Sequence, residues 1–495
     1  MKEFIRIHEK DNVIVALKDL KEGTQLKDED LDITLKMDVA KGHKVAIEII
    51  PEGENIIKYG YAIGRATQRV LPGAHVHTSN LKTNLSGTLE YSYEPALKEL
   101  AKASEELTFK GYKRSNGDVG IRNELWIIPT VGCVNATADL MVNRLKESVE
   151  NLEIDDISVW KHPFGCSQLG QDHEDTANIL RDLVMHPNAG GVLVLGLGCE
   201  NNTIDRFKEG LGDYDGERVK FLISQEVDDE IEDGSKLLKE LYDAMKEDER
   251  VEVPLSVLKV GLKCGGSDGL SGITANPLVG AFSDFLIAQG GTTVLTEVPE
   301  MFGAETVLMN RAASGEIFNA TVSLINDFKS YYLKYDQPVY ENPSPGNKKG
   351  GISSLEDKSL GCVQKGGSAT VVDVLKYSGR IVKKGLNLLS APGNDLVATT
   401  ALGATGCQMV LFTTGRGTPF GGFIPTIKIS TNTEIYNKKP HWIDFNAGEL
   451  IHDQTMEEAV KELVQYIIDV ASGRLVNHEK NNFKEISIFR TGVTL

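Results

Sequence analysis

The chain has 495 residues, of which 41% are hydrophobic and 25% charged, with a formal net charge of −18 and 6 cysteines. This is a globular composition whose longest apolar runs, such as Gly191–Gly198, fall far short of a bilayer span. It therefore excludes a membrane partner, and the acidic balance excludes nucleic acid, which needs a basic face. So long a chain exceeds one ordinary core, so about two to four domains are expected. Sparse cysteines, and a start (MKEFIRIHEKDN) without a leader-like apolar stretch, point to the reducing cytoplasm and to free thiols or metal ligands.

In chain order, residues 1–82 read as a small all-β domain. The short runs VIVAL (13–17), VAIEII (45–50) and AHVHTS (74–79) alternate with the turn signals LKEGT, IPEGEN and VLPGA. In a strand, His75 and His77 share a face. They are either two ligands or catalytic groups at one site, joined by His43 of KGHK, or a solvent-facing pair. Residues 83–108 are polar and read as a linker with one short helix.

Residues 109–250 follow a strand, Gly-rich loop, helix pattern, which implies parallel pairing and right-handed crossovers. Cys133, Cys166 and Cys199 stand 33 residues apart, each after a glycine just past an apolar run. That spacing predicts three thiols at one edge of one sheet, where open α/β sheets bind ligands. Three thiolates with one open position suit iron, as a single ion or a cluster, and zinc is chemically compatible. The bland alternative is three small hydrophobes marking strand ends. HPFGCSQLGQDHE (162–174) gathers His162, Cys166, Gln168, Asp172, His173 and Glu174 in one strand-to-helix turn. KEDERVEV (246–253) reads as a separator.

Residues 251–495 repeat the parallel pattern and end in an amphipathic helix over 456–472, stopped by Gly473. KCGGSDGLSGITANP (263–277) resembles an anion cradle, offering Lys263, Ser267, Asp268 and Ser271 but lacking the P-loop signature. TEVPEMFGAE adds Glu297, Glu300 and Glu305, APGND adds Asn394 and Asp395, and TTGRG adds Arg416, suited to gripping a carboxylate bidentately. Arg114, Arg122, Lys348 and Lys365 also lie beside Gly-rich stretches, and 340–354 is too Gly/Pro-rich for a simple connector.

The strings NGDVGIRNELWIIPTVGCVN, FGCSQLGQDHE, LGLGCENN, KCGGSDGLSGITANP, LTEVPEMFGAE, ENPSPGNKKGGISSLEDKSLG and FTTGRGTPFGGF resemble the altronate/galactarate dehydratase family of sugar-acid hydro-lyases. The resemblance runs from DVAKGHK and GAHVHTSNL to the final TGVTL. It implies an N-terminal β-clip (SAF-type) domain, a middle α/β domain able to form a homodimer, and a Rossmann-like C-terminal domain with a parallel sheet. It also implies Fe(2+), with Mn(2+) as a substitute, and a small anionic sugar-acid substrate. The implied reaction converts D-altronate to 2-dehydro-3-deoxy-D-gluconate and water in hexuronate breakdown. Galactarate or another 2-hydroxy acid is the alternative substrate, and a non-catalytic sugar-acid-binding protein the rival of another class. Removing a proton alpha to a carboxylate and expelling the beta hydroxyl requires charge stabilisation and a positioned acid or base. On chemical grounds the candidates are His75, His77, His173 and Glu297 for catalysis. Lys263, Ser267, Asp268, Asn394 and Arg416 are assigned to substrate, and Cys133, Cys166 and Cys199 with His75 and His77 to the metal.

Overall fold

The computed structural model describes residues 2–28 and 30–495. Residues 2–82 form short antiparallel strands only. One sheet joins Phe4–Ile5, Val13–Ala16, Lys44–Ala46 and His75–Val76, another Asn55–Lys58, Tyr61–Ala66 and Leu81–Lys82. Turn glycines at positive φ, such as Gly42 (83°) and Gly73 (81°), reverse the chain between them.

The expected short helix in 83–108 does not form. This segment is an extended strap whose backbone bonds to the C-terminal domain instead of to itself: Ala96 N–H to the Asn310 carbonyl (2.7 Å) and Ala103 N–H to the Ala288 carbonyl (3.2 Å). The Tyr91 and Tyr93 hydroxyls anchor it on Glu305 and on the Ala312 carbonyl. At the end of the separator 246–253, Val251–Pro254 pairs antiparallel with Thr108–Lys113. Its apolar Val253 faces the core while the charged neighbours stay out.

Two parallel sheets carry the rest. The smaller has the order 156–159, 124–129, 189–196, 219–223. The larger has seven strands, ordered 371–375, 385–389, 292–295, 259–264, 409–414, 426–430, 445–446. In each, the chain leaves its first strand to one side and later returns to the other. A switch point therefore lies between 124–129 and 189–196, and a second between 259–264 and 409–414. Crevices outside the strand C-termini at such points are where open α/β sheets take ligands. A shared apolar cluster containing Trp126, Trp160 and Phe423 packs the two sheet units together. A continuous core joins the β domain to the large sheet.

Candidate active site

The switch point of the large sheet is covered by the β domain. Gly42, Gly269 and Gly351 meet there backbone to backbone, and a Cβ at Gly269 or Gly351 would collide with the Gly42 carbonyl. Beneath the contact, Asp357 receives both Lys44 Nζ (2.8 Å) and Lys58 Nζ (2.9 Å), all three side chains being inaccessible to solvent. Lys44 also donates to the Gly351 carbonyl at 2.7 Å. Two ammoniums share one carboxylate: burial lowers Lys44 to about 8, and the lysines hold Asp357 ionised against its own burial. Desolvated charges of this kind are costly unless paired, so the contact fixes the β domain in one position.

That docking brings three histidines to the crevice rim. The His43, His75 and His77 rings lie 5.0, 5.1 and 5.5 Å apart between centroids, and His43 Nδ1 is 2.9 Å from His75 Nε2. His43 Nε2 meets the Lys349 carbonyl at 3.2 Å and His77 Nδ1 meets Ser353 Oγ at 3.1 Å, which orients both rings. Burial, then the neighbouring rings and Lys44, lowers His75 and His77 to about 4; burial also lowers His43. All three are therefore neutral imidazoles at pH 7. Both ring nitrogens of His43 are engaged, by His75 and the Lys349 carbonyl, so a cation such as ferrous iron would take the place of the His43–His75 bond. The solvent-facing alternative for His75 and His77 is thus set aside.

Beside them opens a cavity of about 300 Å³, lined by Lys41, Asp268, Arg416, Asn432, Glu434 and Lys438 among others. Asp268 does not offer its charge to a ligand, because it accepts from Leu270 N–H, Ser271 Oγ, Thr431 Oγ1 and Asn432 Nδ2, pinning the 266–271 loop to the 431–432 turn. Among the described residues, Arg416, Lys41 and Lys438 have no ion-pair partner within 4 Å. The cavity is therefore locally basic in an acidic chain, and a six-carbon acid fits its size.

Under the 263–268 loop lies a buried ionic network. Lys263 Nζ contacts Glu297 Oε1 and Asp395 Oδ1, each at 2.8 Å, and Glu297 Oε2 accepts the Cys264 N–H at 2.8 Å. Glu297 has left-handed backbone (φ 70°), uncommon for a residue with a side chain and frequent at functional sites. Burial pushes it well above the ordinary carboxylate range, against the pull of Lys263. Next to it, Cys264, Glu300 and Cys362 bring three donor atoms within 4.8 Å of one another. Burial opposes ionisation of Glu300, but Lys358 and Lys365 hold it at about 2. Cys362, donating to the Cys264 sulfur, holds Cys264 at about 6, with Lys365 Nζ 3.1 Å away. Three ammoniums already neutralise these anions, so this network suits proton exchange better than a divalent cation; the histidine trio is neutral, but its ring nitrogens do not all lie within 4.8 Å of one another.

Several sequence candidates have other work. Asn394 Oδ1 caps the helix Asp395–Ala404. Ser267 is buried and its Oγ has no hydrogen-bond partner. Arg122 is buried on Glu479, and Arg114 on Asp248. Cys133, Cys166, Cys199 and His173 belong to the other sheet unit, so the crevice at the large sheet does not unite them with His75, His77 and Glu297. In the crowded 162–174 turn, His162 braces Pro129 and Phe164, Gln168 braces Gly165 and Thr176, and Asp172 holds Thr491 and Gly492. His173, half-buried in the helix Gly170–Val184, has an unpartnered Nδ1. Sequence reasoning missed Lys44, Lys58, Asp357, Lys358 and Cys362. A larger cavity of about 460 Å³ opens at the opposite edge of the small sheet, but its Arg114 and Arg218 are spent on Asp248.

Comparison with known proteins gives three consecutive family matches. Residues 2–84 match the altronate/galactarate dehydratase SAF domain, 111–246 the second domain of D-galactarate dehydratase/altronate hydrolase, and 255–494 the C-terminal domain of D-galactarate/altronate dehydratase. The chain is 61% identical to the altronate dehydratase of Bacillus subtilis (strain 168) and 55% identical to that of Escherichia coli (strain K12), over 100% of both partners in each case. It is 33% identical to the galactarate dehydratase (L-threo-forming) of Escherichia coli (strain K12), over 95% of this chain and 93% of that protein.

Proposed function

The chain belongs to the altronate/galactarate dehydratase family, and we propose that it is the enzyme that dehydrates D-altronate to 2-dehydro-3-deoxy-D-gluconate and water in hexuronate breakdown. The observation that carries this reading is the neutral trio His43, His75 and His77 beside a basic cavity at the switch point of the large sheet. The greater identity to altronate than to galactarate dehydratases supports the choice of substrate.

Arg416 grips the substrate carboxylate, with Lys41 adding charge at the same wall. His43, His75 and His77 would hold ferrous iron, with manganese as a substitute, and the ion would supply Lewis-acid stabilisation of the charge that develops when the C2 proton leaves. Glu297, its carboxylate held by Lys263 and the Cys264 N–H, takes that proton and returns it to the departing beta hydroxyl, which leaves as water; Lys263 and Asp395 connect Glu297 toward solvent, Asp395 being 34% exposed. Water exclusion by the docked β domain strengthens each of these interactions.

Among the described residues no helix is long and apolar enough to cross a membrane. A cytoplasmic location, read from the sparse cysteines, and a homodimer, carried by the resemblance, complete the proposal, the dimer being testable by light scattering. The substrate is tested by anaerobic assay of 2-keto acid formation with ferrous iron on D-altronate, galactarate and other 2-hydroxy acids. Turnover of D-altronate well above the rest supports the reading, and preference for galactarate, or binding without turnover, sinks it.

A further inference from the structure

We propose that Cys133, Cys166 and Cys199 hold a four-iron iron–sulfur cluster at the switch point of the small parallel sheet, with one iron left without a protein thiolate. This site lies apart from the histidine trio and does not depend on which sugar acid is turned over.

The three cysteines follow strands 124–129, 156–159 and 189–196, which are immediate neighbours in the sheet. Their loops are clasped together at the strand C-termini. Gly132 N–H bonds the Phe164 carbonyl at 2.9 Å, Asn202 N–H bonds the Gly165 carbonyl at 3.1 Å, and Ser167 N–H bonds Asn201 Oδ1 at 2.9 Å. Glycine is what lets them nest. A Cβ at Gly165 would collide with the Thr130 carbonyl, and one at Gly132 would lie 2.7 Å from the His162 carbonyl oxygen. Glu200 ties the arrangement from below, accepting from Thr130 Oγ1 at 2.6 Å and Gly198 N–H at 2.6 Å.

Two independent features point to a ligand. First, all three thiols are exposed, whereas Cys264, Cys362 and Cys407 are buried. Cysteine is among the most buried residue types, so three exposed thiols on one sheet edge need a reason. Second, the helices that follow these loops, Asn135–Ser148, Gly170–Val184 and Ile204–Leu211, all begin without a side-chain cap. The other helices of eight residues or more are capped by side chains, except Ala275–Ala288, which follows the cradle loop of the large sheet. Asn135–Ser148 continues from the turn Gly132–Val134, its Asn135 N–H bonded to the Gly132 carbonyl, so the three positive helix ends reach one edge without a side-chain cap, which favours thiolates and an anionic cluster.

The spread of the sulfurs selects the kind of ligand. Thiolates on one tetrahedral ion lie about 3.8 Å apart at Zn–S-like bond lengths of about 2.3 Å. The three thiols are not all within 4.8 Å of one another, a closeness that among the described residues only Cys264, Glu300 and Cys362 reach. A cluster places each sulfur on a different iron and so accepts the wider spacing. On binding, each thiol releases its proton to solvent and its sulfur bonds to one iron.

The test is spectroscopic and chemical. The full-length protein is purified anaerobically, reconstituted with iron and sulfide, desalted and analysed for iron, acid-labile sulfide, visible absorption and electron paramagnetic resonance. The expected result is about four sulfides per chain, about four irons matching them beside the non-sulfide iron of the histidines, and a broad visible band. Cys133→Ser, Cys166→Ser and Cys199→Ser should each lose sulfide and band to the level of the triple variant, with wild-type circular dichroism, while Cys407→Ala keeps both. Iron without sulfide in the wild type, or a cluster spectrum that survives in the triple variant, overturns the proposal.

Discussion

Burial makes His75 and His77 neutral donors, and the same force sets the residue-scale predictions. Arg416 has a planar fork for a carboxylate, so Arg416→Lys should raise KM for the sugar acid about tenfold with kcat little changed, read from steady-state kinetics. Arg122 and Glu479 form a buried pair at 2.7 Å, and the guanidinium also serves the Ile121, Val470 and Arg474 carbonyls. Burial opposes ionisation of Glu479, but Arg122 holds it at about 2, below the ordinary 4.5. Its stabilisation is therefore complete above pH 4.5 and lost as pH falls from 4.5 toward 2. Glu479→Gln should cost about 3–5 kcal/mol at pH 7 and flatten the pH dependence of stability over that window, measured by denaturant titration.

At the element scale, the 344–362 segment joins everything at the crevice. Its carbonyls and Ser353 orient the histidines, Asp357 anchors two lysines of the β domain, and Lys358 reaches Glu300 at 2.7 Å. Asp357→Asn leaves two buried ammoniums short of a counter-charge. It should cost about 3–5 kcal/mol and expose the 83–107 strap to proteolysis, followed by denaturant melts and limited digestion. Gly269→Ala should push the β domain off the cradle loop and reduce turnover while the isolated sheet units keep their helical circular dichroism.

Much of this scaffold is legible in the residues. Apolar runs ending in glycine mark the strands 124–129, 189–196, 259–264 and 409–414, because a buried parallel strand must be apolar throughout and its ligand-side loop must turn tightly. The Cys133, Cys166 and Cys199 spacing correctly implies a shared edge. The Lys44–Asp357–Lys58 contact is not legible, since it joins residues about 300 apart in sequence through charges that usually sit in water. Strands 371–375 and 426–430 escape notice because Asp373 and Lys428 interrupt their apolar pattern. In the acid- and histidine-rich turn at 162–174, most polar groups brace the loop and the C-terminal tail, while Cys166 stays exposed.

For the whole molecule, two parallel sheets each offer a switch-point crevice, and a β domain closes one of them. A ligand that binds only the native state stabilises it by mass action. Chelation should therefore lower the thermal midpoint and abolish turnover, and ferrous iron should restore both. The most direct measurement is anaerobic turnover of D-altronate with ferrous iron by the wild type, His43→Ala, His75→Ala and His77→Ala, with bound iron determined on the same samples. The account predicts losses of roughly 100-fold or more together with loss of non-sulfide iron. Wild-type turnover and undiminished non-sulfide iron in these three variants would contradict it.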